Sequence, residues 1–331
     1  MSTIQDVAKA AGVSVATVSR VINNSKSVSD ETRELVLETI KKLNYQPNLL
    51  GRNLRRAETR LILILLPSIS NPFYSKLVKG AEDVAHKNGY NVMLCNTDSD
   101  IKRERVYLEH LKNRLADGLI FMSPEIDKDE LTNISKKYPV VQCSEYKEGA
   151  DVPRISIDNM AAAYKAVKHL IGIGHRRIGM ISVRNEYVST KQRELGYRKA
   201  LEDSGIDFDS TLIKYGSYGF RSGLRAAKQM LSMENRPTAI FAISDSMAIG
   251  AIRAAKESGL KVPADLAVVG FDDISFASMC EPPLTTISQP KYDLGCAAME
   301  MLLAQIQGKP FETKEVVLEH ELIIRQSTID C

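Results

Sequence analysis

Short aliphatic runs alternate with helical stretches from residue 61 almost to the C-terminus. The runs are LILILL, NVMLC, GLIFM, PVVQC, RIGMIS, TLIKY, AIFAIS and LAVVGF. Runs of this length, bounded by Gly, Pro or Asp and separated by helices, are typical of parallel strands buried on both faces. One series ends near Ile157 and a second begins with a helix at Met160. The pattern therefore predicts two doubly wound α/β lobes.

In such folds a ligand lies at the carboxyl ends of the strands, in the crevice between lobes. The segments that follow the predicted strands are rich in polar and aromatic residues. They are Pro67–Tyr74, Ser123–Glu125, Cys143–Tyr146, Ser182–Arg193, Gly216–Phe220, Ser244–Ser246 and Asp272–Ser275. We expect a ligand site to be formed from these segments.

The positive charge of the chain is concentrated near its N-terminus. The formal net charge is only +3, from 44 Lys and Arg against 41 Asp and Glu. Residues 1–60 hold ten of those basic residues and six of the acidic ones, which leaves 34 against 35 in the other 271 residues. A basic head on a neutral body favours an anionic partner for the head.

The first 46 residues predict three short helices. Thr3 can cap the first helix, with Asp6 in a variant of the capping box. The first helix ends before Gly12. Ser14 caps a second helix over Val15–Ile22, and Ser29 caps a third that extends to about Leu43. A three-residue break containing Gly between two short helices is the spacing of a helix-turn-helix motif.

The predicted second helix has no acidic residue, and its exposed face suits DNA. Val15 and Ala16 can contact thymine methyl groups, and Arg20 can bond a guanine bidentately. The polar residues of the same region suit phosphate oxygens; they are Thr17, Ser19 and Asn23, with the capping residues Thr3 and Ser14 included in the expected contact set. The alternative is that this face is the solvated side of a small helical domain.

The segment NLLGRNLRR after Pro47 can form a short helix capped by Asn48. Alone it should be unstable, because it has fewer than about three turns and contains Gly51. Two copies in a dimer can pair Leu50 and Leu54, and an apolar side chain presented to the minor groove can wedge between base steps while Arg52, Arg55 and Arg56 approach the phosphate backbone. The alternative is a flexible basic linker.

These features together resemble the LacI/GalR family of bacterial transcription regulators. The motifs that carry the resemblance cover essentially the whole chain; they are TIQDVAKAAGVSVATVSRVIN, NYQPN, PSISNPFY, DGLIFM, GHRRIG, GYRKAL, FAISDSMAIGA, VVGFDD and PPLTTISQP. The resemblance implies a small all-α helix-turn-helix head, a hinge helix and a core similar to periplasmic binding proteins. It also implies a homodimer that represses transcription from a near-palindromic operator on double-stranded DNA. The N-terminal sequence lacks the long apolar stretch of a secretory signal, which predicts a cytoplasmic location.

The resemblance further implies roles for individual residues. Val15, Ala16 and Arg20 match base-reading positions, and Leu54 matches the leucine that opens the central base step. Positions that line the effector cleft in relatives are occupied here by Phe73, Tyr74, Arg193, Tyr218, Ser244 and Asp272. Arg193 and Asp272 suit the hydroxyl groups of a sugar or sugar derivative. Ser144–Glu145 replaces an Asp-Arg pair found in many relatives, so contacts from that edge must differ.

The expected organisation has three parts: a helix-turn-helix domain over 1–46, a hinge or linker over 47–59, and a core over 60–331. The core divides into an N-lobe of about 60–157 and 289–320 and a C-lobe of about 158–288 and 321–331. No leucine heptads follow the final strand, which favours a dimer. We expect no cofactor, no metal and no membrane segment, since the sequence has no CxxC pair, no HExxH and no long apolar stretch.

Several functional alternatives stay open at this point. Regulation can be activation instead of repression, and a protein corepressor can replace the sugar. An enzyme is disfavoured because the chain contains no GxSxG and no phosphate-binding GxxxxGK[ST] loop. A sugar-binding transport protein fits the core but not the head.

Overall fold

The computed structural model describes residues 2–25, 27–45, 58–310 and 313–329. The chain divides into two compact units, Met1–Thr59 and Arg60–Cys331. We call the first the head and the second the core, and each is described by itself.

The described part of the head contains three helices: α1 (Ile4–Ala10), α2 (Val15–Ile22) and α3 (Asp30–Lys42). The predicted capping is confirmed. Thr3 and Asp6 form a reciprocal capping box, and the hydroxyl of Ser14 accepts a hydrogen bond from the amide of Thr17. Gly12 takes a φ of 66°, which a residue with a side chain rarely adopts, and so makes the turn between α1 and α2.

The head has a small apolar core of its own. Its fully buried or nearly buried members are Val7, Ala8, Ala11, Val18, Val21 and Val36. Each side chain is small, so burial contributes about 1–2 kcal/mol apiece. A domain with so few core residues is only marginally stable, so truncation of one core valine should destabilise all three helices.

The first lobe of the core, the N-lobe, is built on a six-stranded parallel sheet in the order β11-β5-β4-β3-β1-β2. Its strands are β1 (Leu61–Leu66), β2 (Asn91–Asn96), β3 (Gly118–Phe121), β4 (Val140–Cys143), β5 (Arg154–Ile157) and β11 (Glu315–Leu318). Its helices are α4 (Phe73–Lys87), α5 (Ile101–Lys112), α6 (Lys128–Ser135) and α11 (Lys291–Ile306).

The second lobe, the C-lobe, has a six-stranded sheet in the order β12-β10-β9-β8-β6-β7. Its strands are β6 (Ile178–Val183), β7 (Ile213–Gly216), β8 (Ala239–Ala242), β9 (Ala267–Asp272), β10 (Thr285–Ser288) and the antiparallel β12 (Glu321–Ile323). Its α-helices are α7 (Asn159–Gly172), α8 (Val188–Glu202), α9 (Phe220–Leu231) and α10 (Asp245–Glu257). The two doubly wound lobes agree with the fold predicted from the apolar runs.

The chain passes between the two sheets three times. The crossings follow Ile157, Ser288 and Leu318. At the second crossing α11 packs against α4, and a glycine on each helix brings the backbones together. A Cβ atom on Gly295 would lie 1.9 Å from the carbonyl oxygen of Leu77, so no larger residue fits there.

One helix begins earlier than the sequence predicts. The pattern places its start near Lys191, whereas α8 begins at Val188. The residue at its N-cap, Tyr187, makes no capping hydrogen bond with its side chain. The cap comes from a residue of the other lobe, as described below.

Candidate functional site

A cleft of about 820 Å³ lies between the two lobes, where the carboxyl ends of both sheets face each other. Every predicted effector residue lines it: Phe73, Tyr74, Arg193, Tyr218, Ser244 and Asp272. The N-lobe contributes the segments after β1, β2, β3 and β4, and the C-lobe contributes those after β6, β7, β8 and β9. The fold thus brings together side chains that are up to 200 positions apart in the sequence.

Arg193 is buried in the wall of the cleft, on the second turn of α8. Its Nε donates to Asn159 Oδ1 at 2.9 Å, and its Nη1 donates to the carbonyl oxygen of Ile243 at 2.7 Å. The guanidinium also lies over the ring of Phe271, 3.6 Å from the centroid. These contacts hold the group rigidly, so a ligand meets a fixed cation and not a mobile one.

Asp272, at the end of β9, is the acidic counterpart of Arg193. Its Oδ1 accepts from Gln289 Nε2 at 2.8 Å and lies 3.8 Å from Arg193 Nη1. Burial raises the pKa of this carboxyl group, while the charges of Arg193 and Lys291 act in the opposite direction.

The backbone at Asp272 and Asp273 is strained, because both residues have positive φ angles, 107° and 50°. The buried ammonium group of Lys291 donates to the carbonyl oxygens of both residues, and Arg325 bonds the Asp273 carboxylate at 2.7 Å. Lys291 is the first residue of α11 in the N-lobe. It therefore fixes the end of strand β9 in the C-lobe across the second crossing. Sequence reasoning missed Lys291 and Gln289, since their partners are main-chain and side-chain atoms of a distant loop.

The remaining predicted contacts supply hydroxyl groups and aromatic faces. The hydroxyl of Ser244 is buried and has no hydrogen-bond partner among the described residues. The Tyr218 hydroxyl bonds Thr190 at 2.7 Å. Phe73 and Tyr74 stand edge to face, with ring centroids 5.1 Å apart. Burial raises the pKa of the Tyr74 hydroxyl well above its usual range, so Tyr74 offers a neutral hydroxyl.

Glu145 joins the two lobes at the edge of the cleft. Its carboxylate, from the N-lobe, accepts hydrogen bonds from the amides of Val188 at 2.8 Å and Ser189 at 3.3 Å, and from the Ser189 hydroxyl at 2.5 Å. It thus caps the N-terminus of α8 in the other lobe. We call these three residues the Glu145 clasp. Burial raises the pKa of Glu145 although the Ser189 hydroxyl and the amides lower it.

A second contact across the cleft lies beside the clasp. The Tyr187 hydroxyl donates to Glu125 Oε1 at 2.5 Å and lies 3.3 Å from the hydroxyl of Ser99. Burial, followed by the bond to Glu125, raises the pKa of Tyr187 to about 12. The sequence flagged Ser144–Glu145 as a departure from relatives but gave no sign that Glu145 faces the other lobe.

In the head, α2 presents the side chains that the sequence predicts for DNA. Val15, Ala16 and Arg20 are exposed, whereas Val18 and Val21 point into the core. The exposed set therefore forms one face of the helix, the arrangement that major-groove reading requires.

Some of the side chains expected to contact phosphate form hydrogen bonds within the head. The Ser14 and Thr17 hydroxyl groups lie 2.9 Å apart, and Asn23 Nδ2 donates to the carbonyl oxygen of Ser19 at 2.7 Å. Thr3 likewise bonds Asp6. The predicted hinge contacts Asn48, Leu54, Arg55 and Arg56 lie outside the described residues.

Within the described ranges, no cluster of three or more His, Cys, Asp or Glu side chains has the arrangement of a metal site. No helix in those ranges is long and apolar enough to cross a membrane.

Comparison with known proteins agrees with this architecture. A model of the lacI family of bacterial regulatory proteins matches residues 3–48, and one described as periplasmic binding proteins and sugar binding domain of LacI family matches residues 59–326. The chain is 40% identical to the HTH-type transcriptional regulator RegA of Clostridium saccharobutylicum over 99% of both sequences.

Two solved structures are similar over nearly the full length. The lac repressor dimer bound to operator and the anti-inducer ONPF matches with a TM-score of 0.89 at 31% identity, over 99% of each chain. The transcriptional regulator CelR in complex with cellobiose matches with a TM-score of 0.74 at 33% identity, over 99% of this chain and all of that one. The chain belongs to the lacI family of bacterial regulatory proteins and is a DNA-binding transcriptional regulator with a ligand-binding core.

Proposed function

We propose that this regulator is a cytoplasmic homodimeric repressor whose affinity for a near-palindromic operator is controlled by a carbohydrate bound between the core lobes. The observation that carries the proposal is a polar cleft, bridged by hydrogen bonds between its walls, in the same chain as a helix-turn-helix head. A binding cleft alone suits a transport protein, and a head alone suits an unregulated repressor. The combination supports ligand-controlled DNA binding.

The three parts of the chain take separate roles. Residues 1–46 read the operator through the exposed face of α2, with Val15 and Ala16 on thymine methyl groups and Arg20 on guanine. The hinge over 47–59 adds Asn48, Leu54, Arg55 and Arg56 in or beside the minor groove. The core, residues 60–331, binds the effector and supplies the dimer contacts.

The chemistry of the cleft supports a carbohydrate effector. Arg193 offers a donor, Asp272 an acceptor, and Ser244 a hydroxyl that has no hydrogen-bond partner among the described residues. The aromatic rings of Phe73 and Tyr218 suit the apolar C–H face of a sugar ring. The cleft, with a volume of about 820 Å³, has room for a disaccharide. Cellobiose in the CelR complex and ribose in a LacI family regulator of Enterococcus faecium are precedents among similar structures.

Exposed apolar side chains on the C-lobe support a homodimer. Phe220, Phe276 and Met279 are 42%, 56% and 73% exposed and line a common surface groove. A patch of this kind on a monomer usually marks an interface. We assign a second copy of the chain to it, because the similar lac repressor structure is a dimer. Met279→Glu should shift the mass measured by light scattering from dimer to monomer; an unchanged dimer would remove this patch from the interface.

The function is tested by selecting operators from a random duplex pool with the full chain. Gel-shift titration of the selected DNA is then repeated with cellobiose, ribose and other sugars. We expect at least one sugar to change the operator Kd tenfold or more. Deleting residues 1–57 should abolish DNA binding and keep sugar binding by calorimetry. DNA binding that survives the deletion, or no response to any sugar, would contradict the proposal.

Arg193→Ala tests the cleft within the same assay. We expect it to remove the response to sugar and to leave basal operator binding within about twofold. Arg198→Ala is the matched control, because Arg198 lies on the exposed face of the same helix, over the ring of Phe208. An unchanged sugar titration in Arg193→Ala would remove Arg193 from the effector site.

A further inference from the structure

The Tyr187 hydroxyl of the C-lobe is held by two separate elements of the N-lobe. It bonds Glu125, in the loop after β3, at 2.5 Å and lies 3.3 Å from the hydroxyl of Ser99, in the turn before α5. A phenolic hydroxyl can donate to a carboxylate and accept from a serine at the same time. We call these three residues the Tyr187 latch. The latch is complete only when the loop and the turn are both in place.

Glu104 connects the loop and the turn from inside the N-lobe. It lies in the first turn of α5 and is completely buried. Its Oε2 accepts a hydrogen bond from the amide of Glu125 at 2.8 Å, and its Oε1 accepts a longer one from the amide of Ile126 at 3.5 Å. The carboxylate therefore ties the start of α5 to the loop that carries Glu125.

The turn that carries Ser99 has an unusual backbone conformation. Asp98 and Ser99 have positive φ angles of 53° and 54°. Residues other than glycine rarely adopt such angles, which persist only where the surrounding contacts impose them. Here the Asp98 carboxylate pairs with Arg103 of α5. Ser99 thus contacts Tyr187 from a turn that is fixed to the same helix as Glu104.

An apolar side chain in place of Glu104 would not have to lose the hydration of a charge. Burial raises the pKa of Glu104 to about 7 although the two amides lower it, so desolvation outweighs the hydrogen bonds. A leucine would avoid this desolvation but could accept neither amide. The carboxylate therefore lowers the stability of the fold above pH 7, and its benefit lies in fixing the position of residues 125 and 126.

We propose that Glu104 is a positioning residue for the closure of the effector cleft. By fixing the loop after β3 it places the Glu125 carboxylate against the Tyr187 hydroxyl, and the latch then favours the arrangement in which the two walls are joined. Glu104 lies behind that loop and does not line the cleft, so it acts through Glu125 and not on a ligand. The inference rests on the proposed function only in taking this cleft as the effector site, and it holds for any effector.

Amide hydrogen exchange of the full chain, without added sugar, measures the effect on closure. The Val188 amide keeps its acceptor, Glu145, in every variant used here, so its exchange reports opening of the cleft. The buried amide of Val268, in the sheet of the C-lobe, corrects for global unfolding. Exchange of Val188 should be about tenfold faster in Tyr187→Phe and about fivefold faster in Glu104→Leu. Because Glu104 acts through the latch, the double variant should stay near tenfold and not reach the roughly fiftyfold of independent effects.

Carbon NMR of the chain with tyrosine labelled at Cζ observes the latch itself. The Tyr187 signal is assigned by its absence in Tyr187→Phe, and Glu125→Gln gives its position without a carboxylate partner. In Glu104→Leu the signal should move toward that position. Glu104→Gln, which keeps one acceptor oxygen, should lie closer to the wild type, and because it is isosteric it also serves if the leucine variant does not fold. Glu109→Gln, at an exposed position of the same helix, should leave the signal unchanged.

Two results would overturn the proposal. One is a Tyr187 signal that does not move when Glu104 is replaced, and the other is a double variant whose exchange rate is the product of the two single effects. Neither measurement uses a sugar. Failure of every sugar to bind would therefore refute the proposed function alone, whereas the two results named here would refute only the role of Glu104.

Discussion

Replacing Glu145 with alanine removes the carboxylate that the N-lobe places at the N-terminus of α8. The amides of Val188 and Ser189 then lose their acceptor, and so does the Ser189 hydroxyl. Loss of a helix cap alone costs about 0.5–2 kcal/mol, and a hydrogen bond to a charged acceptor contributes about 1.5–3 kcal/mol net in an ordinary, partly solvated setting. The side chain is 7% exposed, so desolvation is large.

The raised pKa of Glu145 indicates how hydrogen bonding and desolvation balance. Burial raises the pKa of Glu145 in spite of its hydrogen bonds, which means that desolvation of the carboxylate offsets much of their strength. We therefore take the lower part of the range, about 1–2 kcal/mol in favour of the closed cleft. Since about 1.4 kcal/mol is a factor of ten, Glu145→Ala should raise the ratio of open to closed molecules roughly 5- to 30-fold.

Amide hydrogen exchange reports the loss of the Glu145 clasp, because a protected amide exchanges only when its hydrogen bond is broken. The Val188 and Ser189 amides should exchange at least 5- to 30-fold faster in Glu145→Ala, since they lose their acceptor as well as the contact that closes the cleft. Ser189→Ala removes only the hydroxyl contact, worth about 1 kcal/mol, and should accelerate exchange of Val188 about fivefold.

Glu186→Ala is the control for the Glu145 clasp. Glu186 precedes the same helix, but its side chain is 87% exposed and pairs with Lys191 at the surface. Exchange at Val188 should match the wild type in this variant. Equal exchange in Glu145→Ala and the wild type would refute the argument that the carboxylate holds the lobes together.

Three further predictions concern stability. Burial raises the pKa of Glu104 to about 7, so the folded protein holds a proton on this group at pH values where the unfolded chain has lost it. The free energy of unfolding should therefore fall by up to about 3 kcal/mol as the pH rises from 5 to 8. Urea titrations should show that Glu104→Gln lacks this pH dependence. Gly295→Ala places a Cβ 1.9 Å from the Leu77 carbonyl oxygen and should lower the free energy of unfolding by about 3 kcal/mol, whereas Gly172→Ala, with no atom within 4 Å, should be neutral or stabilising. Val18→Ala removes a fully buried side chain of the head and should weaken operator binding without any change in calorimetric sugar affinity.

Helices and strands that are determined by residues nearby in the sequence were predictable. Helix α2 begins and ends where Ser14 and the apolar periodicity place it, because its cap and its buried face are both local. The strands of both sheets follow the apolar runs for the same reason. The lining of the cleft was predictable as a consequence, since parallel strands bring their carboxyl ends to one edge.

Features that depend on distant partners were not predictable. The sequence pattern predicts the start of α8 near Lys191, whereas the helix begins at Val188. The residue that caps it, Glu145, precedes Val188 by 43 positions and lies in the other lobe. Lys291 follows a proline in a crossing and carries no local sign that its ammonium group is buried. Its partners become adjacent only when β9 and α11 have been placed by the fold.

These distant contacts connect the effector site to the relative position of the lobes. Asp272 lines the cleft, and its carbonyl oxygen accepts a hydrogen bond from Lys291 at the start of α11. Helix α11 packs against α4 so closely that Gly295 cannot accept a side chain, and α4 begins with Phe73 in the opposite wall of the cleft. Close contacts from Asp272 through Lys291, α11 and α4 to Phe73 therefore connect the two walls at the crossing. The Glu145 clasp connects them at α8. If an effector displaces the clasp, we expect the lobes to rotate about the crossing and not to move apart, because the contacts of Lys291 and of Gly295 stay in place.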